Sequence, residues 1–71
     1  MAYYTLLCRE TKNDPWEIAF GDYDRNTVTE EAEEYSCHEY QKQNLRIVTT
    51  RTARQSEIDT ILRKLNHERS I

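Results

Sequence analysis

The segment formed by residues 2–9 places the tightest constraint on how this chain can fold. It reads A-Y-Y-T-L-L-C-R, and its aromatic and apolar residues run together instead of alternating with polar ones. This pattern is typical of a strand that is buried on both faces. Such a strand needs neighbours, so we predict that it occupies the centre of its sheet.

Two further segments predict the neighbouring strands. Residues 16–20 read W-E-I-A-F, in which bulky apolar side chains alternate with charged or small ones, as in a half-buried strand. The preceding T-K-N-D-P has turn chemistry, so we expect the first two strands to form a hairpin. The third strand is predicted at Leu45–Thr50, which reads L-R-I-V-T-T.

Several signals mark the beginning of the first helix. Asp24 is suited to the N-cap, because its carboxylate can accept hydrogen bonds from the free amides of the first turn. Tyr23 and Val28 then have the spacing of a hydrophobic staple. Thr27 and Glu30 have the spacing of a capping box and indicate an alternative start. We prefer Asp24, because only that register provides the staple.

Apolar periodicity predicts two helices. The first spans residues 25–41 and turns a stripe toward the sheet, formed by Val28, Ala32 and Tyr35. The second ends near His67 and carries a stripe of four aliphatic residues, namely Ile58, Ile61, Leu62 and Leu65.

The order of elements, β-β-α-β-α, predicts one α+β domain that comprises residues 1–71. We expect a two-layer sandwich, in which a three-stranded sheet has both helices packed on one face. The opposite face of the sheet would then be open. A homodimer could cover that face or pair an edge strand.

Length and composition exclude several classes of protein. No apolar run reaches the roughly 18 residues that a membrane span needs, and the beginning of the chain lacks the basic region of a signal peptide. Cys8 and Cys37 are the only cysteines, which favours free thiols in a cytoplasmic protein. The single glycine, Gly21, excludes a P-loop and a dinucleotide-binding motif.

Charge is distributed unevenly along the chain. Residues 1–40 carry ten acidic and three basic side chains, whereas residues 41–71 carry three acidic and seven basic ones. An acidic face repels phosphates and favours a basic partner. We interpret the acidic first helix as a contact surface for a protein with a basic surface, and a merely solvated helix side remains the alternative. The candidate partner-binding residues are Asp22, Glu30, Glu33, Glu34 and Tyr40.

Catalysis is the least favoured interpretation of these carboxylates. Acid–base chemistry needs paired carboxylates in a cleft, whereas carboxylates on an exposed helix face are all solvated. Cys37 and His38 are adjacent, and neighbouring side chains on a helix point about 100° apart. That geometry suits neither a metal site nor a nucleophilic pair. We therefore predict no catalytic residue, no metal site and no cofactor.

A basic segment formed by Arg46, Arg51 and Arg54 supports an alternative function. Arginines close to a helix N-terminus can contact phosphates, so these residues are the candidate contacts of a small nucleic-acid-binding regulator. The net charge of -3 and the lack of a nucleic-acid-binding motif argue against it.

One longer pattern resembles a known group of proteins. The run F-G-D-Y-D-R-x-x-V-x-x-E is preceded by Y-Y-T-L-L and followed by L-R-I-V-T-T and a short amphipathic helix. Together these segments resemble a set of small uncharacterised proteins encoded by phages and prophages. The resemblance implies an accessory protein that binds a host macromolecule in the host cytoplasm, in its sharpest form as an inhibitor of a defence system. It assigns no functional residues.

Overall fold

A computed structural model describes residues 2–38 and 40–69, without the side chains of residues 68 and 69. It contains three strands, β1 (Tyr3–Cys8), β2 (Glu17–Asp22) and β3 (Leu45–Thr50). Helix α1 (Arg25–His38) lies between β2 and β3, and helix α2 (Gln55–Arg69) follows β3. A single 3₁₀ turn, Lys42–Asn44, precedes β3. The predicted α+β class and the predicted order of elements are confirmed.

The sheet has the order β2-β1-β3, and both outer strands run antiparallel to β1. The prediction that the first strand lies in the centre is therefore confirmed. β3 pairs with β1 without interruption, whereas the pairing of β2 shifts register between Leu6 and Leu7. This bulge leaves Ala19 without a partner, since Leu6 lies opposite Phe20 and Leu7 opposite Ile18. The strict alternation that the sequence predicts for this strand is therefore interrupted at Ala19.

Helix α1 packs across one face of the sheet and contacts all three strands. Leu6 points to this face and is 0% exposed. Val28 is the matching anchor on the helix, also with no exposure, and Ala32 lies over Leu6 and Ile47. Helical packing on one face of the sheet, which the sequence predicts for both helices, is consistent with these contacts.

The other face of the sheet is closed as well. Thr5 and Leu7 point to it by the alternation of the strand, and their exposed fractions are 1% and 0%. α2 follows Thr50, which is paired with Tyr3, and its Asn66 is hydrogen-bonded to the backbone of Trp16, directly before β2. The central strand is therefore buried on both of its sides at Thr5, Leu6 and Leu7, as its uninterrupted apolar sequence predicts.

A polar network joins the strands at the end of β1. The Arg9 Nε donates a hydrogen bond to Asn44 Oδ1 over 3.1 Å, and the Asn44 side-chain amide donates to the Glu10 carbonyl over 3.3 Å. The Arg9 guanidinium also lies 4.3 Å from the centre of the Trp16 ring. Because Trp16 is bonded to Asn66, these contacts connect all three strands with α2. Sequence periodicity contains no signal for such a network.

The start of α1 confirms Asp24 as the N-cap. Its Oδ1 accepts a hydrogen bond from the Asn26 amide over 3.0 Å, and its carbonyl accepts from the Val28 amide over 3.3 Å. The predicted staple is wrong. The Tyr23 ring lies edge-on to Tyr3, with centroids 4.8 Å apart, while Val28 faces the other side of the sheet.

The end of α1 comes three residues earlier than the predicted position 41. The amide of Tyr40 donates to the carbonyl of Tyr35 over 3.0 Å. A bond across five residues closes a helix C-terminus and satisfies one of its orphan carbonyls. The chain then turns into the 3₁₀ segment, which leads directly into β3.

Candidate protein-binding site

Helix α1 turns its outermost glutamates away from the sheet. Val28 marks the buried side of the helix. At about 100° per residue, the positions two, five and six residues later lie on the opposite side. Glu30, Glu33 and Glu34 occupy these positions, and all three are exposed. We call these three residues the acidic ridge.

The acidic ridge forms no ion pair within the described residues. Within residues 2–38 and 40–67, no basic side chain forms an ion pair with Glu30, Glu33 or Glu34. Glu30 and Glu34 are also four residues apart, a like-charge spacing that costs an isolated helix about 0.2–0.5 kcal/mol. The ridge therefore projects a negative potential into solvent at a small cost to the helix.

One flank of the ridge borders a cleft between α1 and β2. Glu31, Glu34 and His38 line it from the helix, together with Ile18 and Tyr40. We call it the β2-side cleft. The Tyr40 ring stacks on Tyr35, with centroids 5.8 Å apart and an interplanar angle of 16°, and Ile18 is 42% exposed. Glu34 and Tyr40, which the sequence singled out separately, thus lie around one cleft.

The other flank borders a groove between α1 and β3. Glu33 lines this groove, which has an apolar floor and a basic rim. Its floor includes Leu6, Leu45 and Ile47, and its rim includes Lys42 and Arg46. Glu33 and Glu34 therefore belong to opposite flanks of the ridge, although they are adjacent in sequence.

Asp22 lies apart from the rest of the predicted set. It is the last residue of β2, and its Oδ1 accepts a hydrogen bond from the Asp24 amide over 2.9 Å. Tyr40 lies beyond the opposite end of α1, a helix of 14 residues that is about 21 Å long. Asp22 thus takes part in the turn before the helix, at a distance from the β2-side cleft.

The three arginines of the alternative site are exposed and spread out. Arg46 lies in β3, whereas Arg51 and Arg54 lie in the segment that leads into α2. At about 3.3 Å per residue of strand, Arg46 and Arg51 are roughly 16 Å apart. The Arg54 carbonyl accepts from the amides of Glu57 and Ile58 and so begins the helix through its backbone.

The described residues contain no cluster of three or more His, Cys, Asp or Glu side chains that could hold a metal ion. Both cysteines are free, with Cys8 buried in β1 and Cys37 exposed on α1. Cys8 is the buried, small apolar residue that its position in a central strand predicts.

In the part of the chain that the structure describes, no helix is long and apolar enough to cross a bilayer.

Comparison with known proteins adds no further constraint. No protein-family model, no curated protein and no solved structure matches this chain. The arrangement of the site itself must therefore carry any conclusion about function. Two of its features, the stack of Tyr35 on Tyr40 and the exposure of Ile18, were not predicted. Both depend on the helix end and the bulge, for which the sequence has no periodic signal.

Proposed function

We propose that this protein is a non-enzymatic interaction module that binds a protein with a basic surface through the acidic ridge and the β2-side cleft. The observation that supports this most directly is the ridge itself. Three exposed carboxylates lie on one helix side and form no ion pair with any described residue, in a spacing that the helix does not need for its own stability. A basic partner would supply the missing positive charge.

The two parts of this surface have different roles. The acidic ridge steers an oppositely charged partner during diffusion and selects against acidic surfaces, which governs association rate and specificity. The β2-side cleft supplies short-range contacts from the ring of Tyr40 and the exposed part of Ile18. Aromatic residues in such positions carry much of the affinity of protein interfaces.

The resemblance to phage and prophage accessory proteins suggests where to look for the partner. Host proteins that handle nucleic acid carry basic grooves, and a ridge of carboxylates can take the place of phosphates there. In that role the protein would inhibit its partner by occupying the groove. CRISPR and restriction complexes are the first partners to test.

The test is affinity capture from host lysate followed by binding measurements with the purified partner. The ridge variant carries Glu30→Gln, Glu33→Gln and Glu34→Gln. A matched variant with the same loss of charge carries Glu10→Gln, Glu17→Gln and Asp59→Asn, all exposed and outside the ridge. At about 0.2–1 kcal/mol for each exposed ion pair, the ridge variant should bind between threefold and about a hundredfold more weakly, and the matched variant as tightly as the wild type.

Two outcomes would contradict the proposal. A partner that the ridge variant retains as well as the wild type does would exclude the ridge as its binding site. Capture of nucleic acid, weakened by Arg46→Ala and Arg51→Ala and falling steeply with salt, would instead support the nucleic-acid-binding alternative.

A further inference from the structure

Among the described residues, no strand pairs with the outer edge of β3. Arg9 donates its amide to the carbonyl of Asn44, so Asn44 points toward β1, and every second residue after it does the same. Leu45, Ile47 and Thr49 therefore turn their amides and carbonyls away from the sheet. The Leu45 amide is used by the preceding turn, where it bonds to the Lys42 carbonyl. The groups of Ile47 and Thr49 remain available for an additional strand.

The side chains beside this edge form an apolar groove. Leu45 and Ile47 point to the α1 face, where they line the groove with Leu6 and with small residues of the helix, Thr29, Ala32 and Ser36. The groove has a volume of about 290 Å³. Because the helix side chains here are short, the groove stays accessible from the edge of β3.

The charge beside the groove is mainly positive. Lys42 lies at its rim with the carboxylate of Glu33, and Arg46 lies between Leu45 and Ile47 in the edge strand, with its side chain on the other face of the sheet. Arg51 follows directly after the strand and is exposed. A second copy of this chain would bring the same basic groups close to one another, so the charge favours an acidic occupant over self-association.

We propose that the β3 edge and its groove bind an extended acidic peptide segment, which joins the sheet as a fourth strand. Its backbone pairs with the outward groups of Ile47 and Thr49, as in other strand-addition complexes. Its apolar side chains follow Leu45 and Ile47 into the groove. Its carboxylates alternate with them and lie opposite Arg46, whose exposed side chain points to the other face of the sheet. This surface borders the acidic ridge at Glu33, lies on the β3 side of α1 and selects the opposite charge.

The proposal is tested with a labelled seven-residue peptide of alternating valine and glutamate, with blocked ends. The matched control peptide replaces each glutamate by lysine. Fluorescence anisotropy with the full chain should give saturable binding of the glutamate peptide, about tenfold tighter than that of the lysine peptide. Arg46→Gln should weaken the glutamate peptide by about threefold, in the range of one exposed ion pair, and reduce the salt dependence of its binding.

Thr49→Pro tests how much the backbone hydrogen bonds of the β3 edge contribute to peptide affinity. It removes an amide that points to solvent, a position where an edge strand tolerates proline. The variant should keep the circular dichroism spectrum of the wild type and lose at least about tenfold in peptide affinity.

Three results would overturn the proposal. Equal affinity for the two peptides would remove the acidic specificity. Unchanged binding by a folded Thr49→Pro variant would show that the edge is not used. A wild-type dimer in sedimentation equilibrium that Thr49→Pro converts to monomer would assign the edge to a second copy of the chain.

Discussion

The two edges of this sheet are built differently, although both strands pair with the same central strand. β2 carries a bulge at Ala19, and the backbone groups of Trp16, directly before it, are hydrogen-bonded to a side chain of α2. β3 pairs with β1 without a shift of register. Among the described residues it has neither a bulge nor a side chain bonded to its outer backbone groups. Unprotected edge strands are sites where other chains add, and proteins commonly protect those that are not used. The difference suggests that the β2 edge is protected against an added strand and that the β3 edge can accept one.

The protection of β2 comes from one amide group. Asn66 Oδ1 accepts a hydrogen bond from the Trp16 amide over 2.7 Å, and its Nδ2 donates to the Trp16 carbonyl over 3.4 Å. The side chain thus binds the backbone as a neighbouring strand would. Farther along β2, the ring of Tyr3 lies directly over Gly21, where a Cβ atom would collide with it.

The largest loss of stability is expected from a proline in β3 at a residue whose amide points toward β1, compared with one whose amide points outward. Val48 is an inward residue, so Val48→Pro removes a ladder hydrogen bond and should cost about 3 kcal/mol or more. Thr49→Pro, its neighbour, removes only an outward amide and should cost less than about 1 kcal/mol. Urea unfolding followed by circular dichroism measures both. Equal costs would show that the outer side of β3 is not free.

A middle-sized effect is expected at Gly21 in β2. Gly21→Ala places a methyl group against the Tyr3 ring, and crowding of this kind costs about 1–3 kcal/mol. The free energy of unfolding in urea is the measurement. In a Tyr3→Leu background the same change should cost distinctly less, since the obstructing ring is gone. A cost that is the same in both backgrounds would refute the contact as its cause.

The smallest effect concerns the amide that protects β2. Asn66→Ala leaves the Trp16 backbone to water and should lower the free energy of unfolding by about 1 kcal/mol. Unfolding can be followed by the fluorescence of Trp16, the only tryptophan. The variant should also self-associate more readily, as the β2 edge is then exposed. Lys64→Ala, an exposed residue of the same helix, serves as control; if it has the same effect, Asn66 has no special role at the edge.

Most secondary structure was predictable because it follows from local patterns. The uninterrupted apolar segment before residue 9 predicted a central strand, and Asp24 predicted the beginning of α1 from its capping chemistry alone. The bulge in β2 was not predicted, since an inserted residue such as Ala19 differs little from a regular one. The early end of α1 was missed for a similar reason, because no glycine or proline marks it.

The candidate site was predictable only in part. The exposure of Glu30, Glu33 and Glu34 follows from helical periodicity around Val28. The proximity of Glu34 and Tyr40 does not follow from helical periodicity. It depends on the turn after α1, which brings the Tyr40 ring onto Tyr35. The separation of Asp22 from this cleft likewise depends on the length and direction of the helix.

The sequence alone determined the class of the fold, the position of β1 and the acidic outer side of α1. These depend on apolar periodicity, capping groups and charge, which act between residues close in the chain. Only the tertiary structure decided that Thr5 is buried beside Leu7, that Asn66 binds the backbone of Trp16 at the start of one edge, and that no described strand pairs with the other edge. These depend on contacts between residues about 50 positions apart, and a periodic pattern does not record which distant surfaces bury one another.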